Sequence, residues 1–259
     1  MTDSNDTQPQ TKYKILLIGD DCEDVYQYGT VDRISPEAPV PVFKFSHEER
    51  KPGMAGNVLR NLEALGCEIN YLHSETSTKT RIVDLRSRQQ IVRIDHDVAS
   101  TPIEFVTDMP DVYDAVVISD YNKGTVTYDL VEKIRKSFQG PIFMDTKKPD
   151  LACFHGIYVK INELEYNNRW SINDRLIVTL GSRGAMYKTG RDPKHETVYS
   201  CPQVEVVDVT GAGDTFLSAF AFEFLRSHDH SMAIDFANCA AGITVQHFGV
   251  YAPRLEEIK

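Results

Sequence analysis

The chain has 259 residues, of which 41% are hydrophobic and 25% charged. This is the balance of a globular protein with one large α/β domain and an appendage, or with two small domains. The net charge of −10 argues against nucleic acid as the main partner, because a phosphate backbone is bound by basic surfaces. No apolar run reaches the ~18 residues that span a bilayer, so we expect no membrane partner.

The cysteines and the N-terminus bear on the compartment. Five cysteines, odd in number and far apart without a CxxC pair, predict neither a disulfide framework nor a zinc ribbon. The first residues are polar and lack the apolar core of a signal peptide. We therefore predict a cytoplasmic protein with a disordered tail over residues 1–12 and one folded domain over residues 13–259.

The predicted elements change in character along the chain. In chain order they are a strand over 13–18, an acidic turn over 20–24, an edge strand over 38–45, a turn over 52–56, a helix ended by Gly66, an arginine-rich two-stranded ribbon over 80–95, strands over 115–118, 141–144, 157–161 and 176–180, a helix over 130–138, and a helix after Gly213. Apolar strands that alternate with helices imply a parallel sheet covered on both faces. The mixed, charged strands near 38–45 and 80–95 predict a small β lid beside it. Ligands of such sheets bind where the strands end.

The sharpest motif runs over residues 208–216. Gly211 and Gly213 leave the backbone bare, so the amides of Gly211, Ala212 and Gly213 can converge at a helix N-terminus. Such a site suits a phosphate whose charge grows during transfer. Asp214 beside it could accept a proton from an attacking hydroxyl. The alternative is a glycine-rich turn in which Asp214 is only an N-terminal helix charge. No Walker A, GxGxxG, HExxH or GxSxG motif occurs in the sequence, which disfavours the enzyme classes that depend on them.

The same segment resembles the C-terminal signature of the ribokinase-like (PfkB) carbohydrate kinases. Residues 33–42 read RISPEAPVPV and are similar to the kinase domain of bifunctional heptose kinase/nucleotidyltransferases, a likeness that extends over about residues 14–250. The resemblance implies a ribokinase-like, doubly wound, mostly parallel α/β sheet with a small β lid. It further implies an ATP-dependent kinase for a sugar or sugar phosphate, with heptose 7-phosphate as the first candidate acceptor.

The resemblance also assigns roles to single residues. Asp214 becomes the catalytic base, and the amides of Gly211, Ala212 and Gly213 hold the transferring phosphoryl group. The candidate substrate contacts are Asp20, Asp24, Gly53, Asn57 and, for a sugar phosphate, Arg88 or Arg93. Loop capping by the two aspartates and a solvated lid face for the arginines remain open as alternatives.

A second set of residues is assigned to ATP and cations in the same way. The nucleotide-binding candidates are Lys147, Asn162, Thr179, Gly181, Gly184 and Asn238. Glu165 would organise Mg²⁺ through water, and Asp208 with Thr210 would form part of a K⁺ site. Helix capping explains the spacing of Asn162 and Glu165 equally well, and helix packing explains Asn238. The lids of the family often pair, so a homodimer is expected.

Three departures from the family bear on activity. Met54 stands where relatives usually have small residues, and the segments after Gly66 and after Glu165 are short. A shortened chain could be a catalytically weak regulatory protein that binds a sugar phosphate or a nucleotide. The presence of Asp214 with both glycines favours the enzyme, since a pure binding protein needs no base beside an anion site.

Overall fold

The computed structural model describes residues 12–104, 112–190 and 195–258. The predicted tail lies outside these residues except for Lys12. The strands are β1 Lys14–Gly19, β2 Asp21–Ile34, β3 Pro41–Met54, β4 Glu68–Leu72, β5 Thr76–Asp84, β6 Gln90–His96, β7 Ala115–Asp120, β8 Ile142–Thr146, β9 Tyr158–Asn162, β10 Leu176–Thr179, β11 Ala185–Lys188 and β12 Glu196–Tyr199. The helices are α1 Ala55–Ala64, α2 Tyr128–Ser137, α3 Glu163–Asn168, α4 Ala212–Ser227 and α5 His230–Thr244.

Eight strands form the main sheet in the order β12-β11-β10-β9-β8-β7-β1-β4. Neighbours from β4 to β10 are parallel, and β11 and β12 extend the sheet as an antiparallel edge. Every residue of β7 and β8 is buried, as expected for strands with helices on both faces. One apolar cluster packs under α1, α4 and α5, and another packs under α2. The predicted doubly wound sheet is confirmed.

Four strands form the second sheet, in the order β3-β2-β5-β6. The arginine-rich ribbon is the antiparallel pair of β5 and β6, and the predicted edge strand is the first part of β3, which lies at one edge of this sheet. The register places Phe45, Val92 and Ile94 on one face, and all three are exposed. Asp24, Tyr26 and Arg81 occupy the opposite face, where the hydroxyl of Tyr26 lies near Gly249.

One predicted turn is wrong, and a second is shorter than predicted. The acidic segment 20–24 does not form a turn, because residues from Asp21 onward begin β2 and pair with both β3 and β5. Arg81 on β5 pairs with the carboxylate of Asp24. This ion pair allows β2 to hold a buried aspartate. In the segment 52–56, β3 continues to Met54 and α1 begins at the next residue. The change of direction is therefore confined to the position of Met54, whose φ is 50°.

No helix within the described ranges is long and apolar enough to cross a membrane.

Candidate active site

A cleft of about 530 Å³ opens where β7, β8, β9 and β10 end and α4 begins. Its lining includes charged and polar side chains from separate segments of the chain: Tyr121, Asp145, Lys147, Lys160, Asn162 and Asp214. Parallel strands direct their carboxyl ends to one edge of the sheet, which is why residues so distant in sequence meet there. The cleft combines carboxylates, ammonium groups and a helix N-terminus within one cavity.

The N-terminus of α4 is shaped by its two glycines. Gly211 has a φ of 81°, a left-handed conformation that favours glycine. A Cβ at Gly211 would lie 2.7 Å from Nδ2 of Asn57, and one at Gly213 would lie 2.8 Å from Nζ of Lys160. The bare backbone therefore lets an amide side chain and a buried ammonium group approach the helix end. An N-terminus with a cation beside it is suited to a phosphate.

Asp214 lies in the first turn of α4 and is 5% exposed. The side-chain amide of Asn57 donates to its Oδ2 at 2.8 Å, and the hydroxyl of Tyr121 donates to its Oδ1 at 2.9 Å. Burial, together with the charge of Asp145, raises the pKa of Asp214 to about 6, against the opposing effects of Asn57, Lys160 and Tyr121. A carboxylate of this pKa is largely ionised at neutral pH and is suited to general-base work.

Two lysines bring positive charge into the cleft. Lys160, which is 4% exposed, donates to Oδ2 of Asp145 at 2.7 Å. Lys147 pairs with Glu165 and lies 3.9 Å from Oδ1 of Asp145. Burial acts to lower the pKa of Lys147, but the neighbouring carboxylates outweigh it and raise that pKa. The ammonium group of Lys147 therefore stays charged at neutral pH. Sequence reasoning missed Lys160, whose only signal was a lysine within an otherwise apolar strand.

Asn162 and Glu165 cap α3. The side-chain oxygen of Asn162 accepts from the amide of Glu165 at 2.9 Å, and Glu165 Oε2 accepts from the amide of Asn162 at 2.8 Å. This is the capping alternative that the spacing left open. No group of three or more metal-ligating side chains occurs in the described part of the chain.

The predicted substrate residues separate into two groups. The side chain of Asp24 lies on one face of the second sheet, where Arg81 donates to its Oδ1 at 2.5 Å. Gly53 leaves room for it, because a Cβ there would lie 2.5 Å from Oδ2 of Asp24. Asn57 reaches the cleft, although its amide is bound to Asp214.

The positions of Asp20 and Arg88 do not fit the substrate contacts that the resemblance implied. The carboxylate of Asp20 is fully buried and accepts three backbone N–H groups of the loop after β7, so it is a loop anchor with no surface for a sugar. Arg88 lies in the turn that joins β5 to β6, about 17 Å along the sheet from Asp24 at ~3.3 Å per residue. Arg93 is paired with Asp95. Arg81, which sequence reasoning did not select as a site residue, is the arginine that reaches Asp24.

A second cavity of about 220 Å³ adjoins the cleft and is mostly apolar. Four of the predicted nucleotide residues line it: Thr179, Gly181, Gly184 and Asn238, whereas Lys147 and Asn162 line the cleft. Gly184 has a φ of 88°, and a Cβ there would lie 2.0 Å from the carbonyl oxygen of Tyr199. Asn238 donates to that carbonyl at 3.2 Å, which ties α5 to the end of β12.

Asp208 and Thr210 form a tight turn before α4. Oδ1 of Asp208 accepts from the amide and the hydroxyl of Thr210, and Oδ2 accepts from the amide of Gly249 at 2.9 Å. These bonds lower the pKa of Asp208 although its partial burial acts to raise it. In the described structure this carboxylate fixes the loop beside the N-terminus of α4.

Comparisons with known proteins show which proteins this chain is similar to. The model of the pfkB family carbohydrate kinases matches residues 164–258. The chain is 32% identical to the bifunctional protein HldE of Nitratiruptor sp., with 96% of this chain and 64% of that protein covered, and 30% identical to HldE of Helicobacter pylori, with 95% and 65% covered. It thus spans just under two thirds of the length of these curated relatives.

Solved structures show the same fold. A ribokinase of Thermotoga maritima has a TM-score of 0.67 at 18% identity, with 95% of this chain and 98% of that chain covered. The Arabidopsis thaliana ribokinase complexed with ribose and ATP has a TM-score of 0.69 at 16% identity, with 96% and 98% covered. The chain carries a PfkB carbohydrate kinase domain with the ribokinase fold.

Proposed function

We propose that the protein transfers the γ-phosphoryl group of ATP to a hydroxyl of a sugar or sugar phosphate. The observation that carries the proposal is the buried carboxylate of Asp214, which lies in the first turn of α4, beside a helix N-terminus that is suited to bind phosphate. The acceptor oxygen attacks the γ-phosphorus while its proton passes to Asp214, and ADP leaves with the electrons of the broken bond. Lys160 and the amides at Gly211 and Gly213 stabilise the negative charge on the transferring group.

ATP fits the two cavities together. The apolar cavity accommodates a flat adenine ring, and the cleft accommodates the phosphates near Lys147 and Lys160. Oδ1 of Asp145 is buried without a hydrogen-bond partner, and Glu165 lies on the other side of Lys147, so the donor set fits Mg²⁺ held directly or through water. Mg²⁺ would neutralise charge on the phosphates. Asp208 and Thr210 could support a K⁺ ion beside α4.

We infer that the acceptor carries a phosphate, with heptose 7-phosphate as the first candidate. Lys51 and Arg81 flank the ring of Tyr26 at 5.4 and 5.2 Å from its centroid. Arg81 is bound to Asp24. Lys51 is partly exposed, and its Nζ lies 3.9 Å from Oε2 of Glu49 and close to Gly249. This basic face supports recognition of an anionic group in place of the predicted Arg88. The HldE relatives and the segment RISPEAPVPV support the same acceptor.

We also infer a cytoplasmic homodimer. ATP as a co-substrate and five cysteines without a disulfide support that compartment. The outer face of the second sheet exposes large apolar side chains, with Phe45 at 60% and Ile94 at 54% exposure, which supports pairing through the lids. Light scattering at micromolar concentration should give twice the monomer mass, and a monomer there contradicts this arrangement.

ADP release over a panel of sugars and sugar phosphates, with ATP and Mg²⁺, tests the function. Phosphorylated acceptors should turn over, and Lys51→Met should raise KM for them far more than for an unphosphorylated sugar. Turnover of unphosphorylated hexoses alone would contradict the acceptor class. Tight binding of a sugar phosphate with no turnover of any acceptor would favour the regulatory protein instead.

A further inference from the structure

We propose that Tyr121 is a positioning residue for Asp214: its hydroxyl orients the carboxylate and favours the ionised form, and Asp20 anchors the loop that presents it. This inference rests on the proposed function, in which Asp214 is the base. It also gives the buried Asp20 a role other than the sugar contact predicted from the sequence.

The hydrogen bonds to Asp214 come from two sides of the cleft. Tyr121, on the loop after β7, donates to Oδ1, and Asn57, on α1, donates to Oδ2. One donor on each oxygen fixes the plane of the carboxylate. Each oxygen keeps a second lone pair, so an acceptor hydroxyl can bind without displacing either donor.

Asp20 fixes the loop that carries Tyr121. Its carboxylate accepts from the backbone N–H of Tyr121 at 2.8 Å, of Lys123 at 3.1 Å and of Thr125 at 3.2 Å. Three hydrogen bonds to one fully buried carboxylate hold this loop in one conformation, since an unmade bond here would leave buried polar groups without a partner. Lys147 lies 5.2 Å from the centroid of the Tyr121 ring and covers it. The phenol therefore has little freedom to move away from Asp214.

The charged groups that face Asp214 set the direction of the effect. Burial and the charge of Asp145 on β8 raise the pKa of Asp214, while the hydrogen bond from Asn57, the charge of Lys160 on β9 and the hydrogen bond from Tyr121 lower it. Lys147 adds positive charge from beyond β8. Burial and the charge of Asp214 raise the pKa of Tyr121 well above its usual value, so the phenol stays a neutral donor throughout the working pH range. Loss of that donor weakens only the ionised form of Asp214, so its pKa must rise.

Tyr121→Phe removes one oxygen atom and tests the inference by two readouts. The first is the pH dependence of kcat/KM. The second is a titration of ¹³C-labelled aspartate carboxyls by NMR, with the Asp214 signal assigned from Asp214→Asn. Both midpoints should move up by about one unit. At pH 6 the rate should then fall about fivefold, and by much less at pH 8.5, with KM for ATP unchanged.

Tyr113→Phe is the matched control, since it also removes one tyrosine hydroxyl. That hydroxyl accepts a hydrogen bond from the side-chain amide of Asn70 at 2.6 Å, and Tyr113 precedes β7, whereas Tyr121 follows it. Neither midpoint should move in it. Asp20→Asn weakens the anchor and should shift both in the same direction as Tyr121→Phe by less.

An unchanged Asp214 titration in Tyr121→Phe overturns the inference, and so does an equal loss of rate at every pH. The NMR readout needs no turnover. If no acceptor reacts, the proposed function fails while the effect of Tyr121 on Asp214 is still measured.

Discussion

Met54 holds a backbone conformation that should cost stability. Its φ of 50° and ψ of −128° match the first central residue of a type II′ turn, a position dominated by glycine. The residue is 5% exposed and directly precedes α1, which carries Asn57. A side chain forced into such a region costs of order 1–3 kcal/mol. Sequence comparison with the family already singled out this position as one where relatives have small residues.

Two substitutions separate this strain from the value of the buried side chain. Met54→Ala and Met54→Gly both remove the side chain beyond Cβ, so the loss of burial largely cancels between them. Glycine normally costs about 0.5–1 kcal/mol relative to alanine. Here the glycine variant should instead be the more stable of the two by about 1–2 kcal/mol. For a chain of this size that corresponds to a rise in Tm of roughly 2–8 °C.

Urea and thermal unfolding of the two variants measure the difference. Ala55→Gly, one residue later in the regular helix, is the control and should lower the free energy of unfolding. If Met54→Gly is no more stable than Met54→Ala, the backbone at Met54 is not strained and the reasoning is wrong.

Two further substitutions test the N-terminus of α4 in the cleft and the buried ion pair between Lys148 and Asp120 at the end of β7. Gly213→Ala places a Cβ 2.8 Å from Nζ of Lys160, and kcat should fall about 10²-fold. Urea unfolding should show no loss of stability, because alanine favours the helix. An unchanged kcat would argue against phosphate binding at the N-terminus of α4. Lys148→Met removes the ammonium group 2.9 Å from both oxygens of buried Asp120 and should cost about 3–5 kcal/mol. Burial already raises the pKa of Asp120, so unfolding curves should show a larger loss at pH 8 than at pH 5, where the carboxyl can protonate; an equal loss at both would contradict an uncompensated charge.

The main sheet could be predicted because its strands are short, apolar runs between helices. The second sheet was harder to predict, since β2 and β3 are 14-residue strands with many charged positions. Asp21 and Asp24 suggested a turn by composition alone. This segment is a strand because β2 pairs with both β3 and β5 and because the distant Arg81 binds Asp24. Neither contact can be seen in a local sequence pattern.

The site shows the same division between local and distant signals. Gly211, Gly213 and Asp214 lie within four residues, so one motif revealed the anion site and the carboxylate beside it. Tyr121 lies 93 residues before Asp214, and Lys160 is also distant in sequence. Only the folding of parallel strands towards one edge brings their side chains to that carboxylate.

The turnover of Asp214→Asn tests the central claim most directly. Asparagine keeps the size of the side chain, and Tyr121 can accept from its amide, but the group no longer takes a proton. On an acceptor that the parent protein phosphorylates, kcat should fall about 10²- to 10⁴-fold with little change in ATP affinity. Near-normal turnover of Asp214→Asn on that acceptor would contradict the assignment of Asp214 as the base.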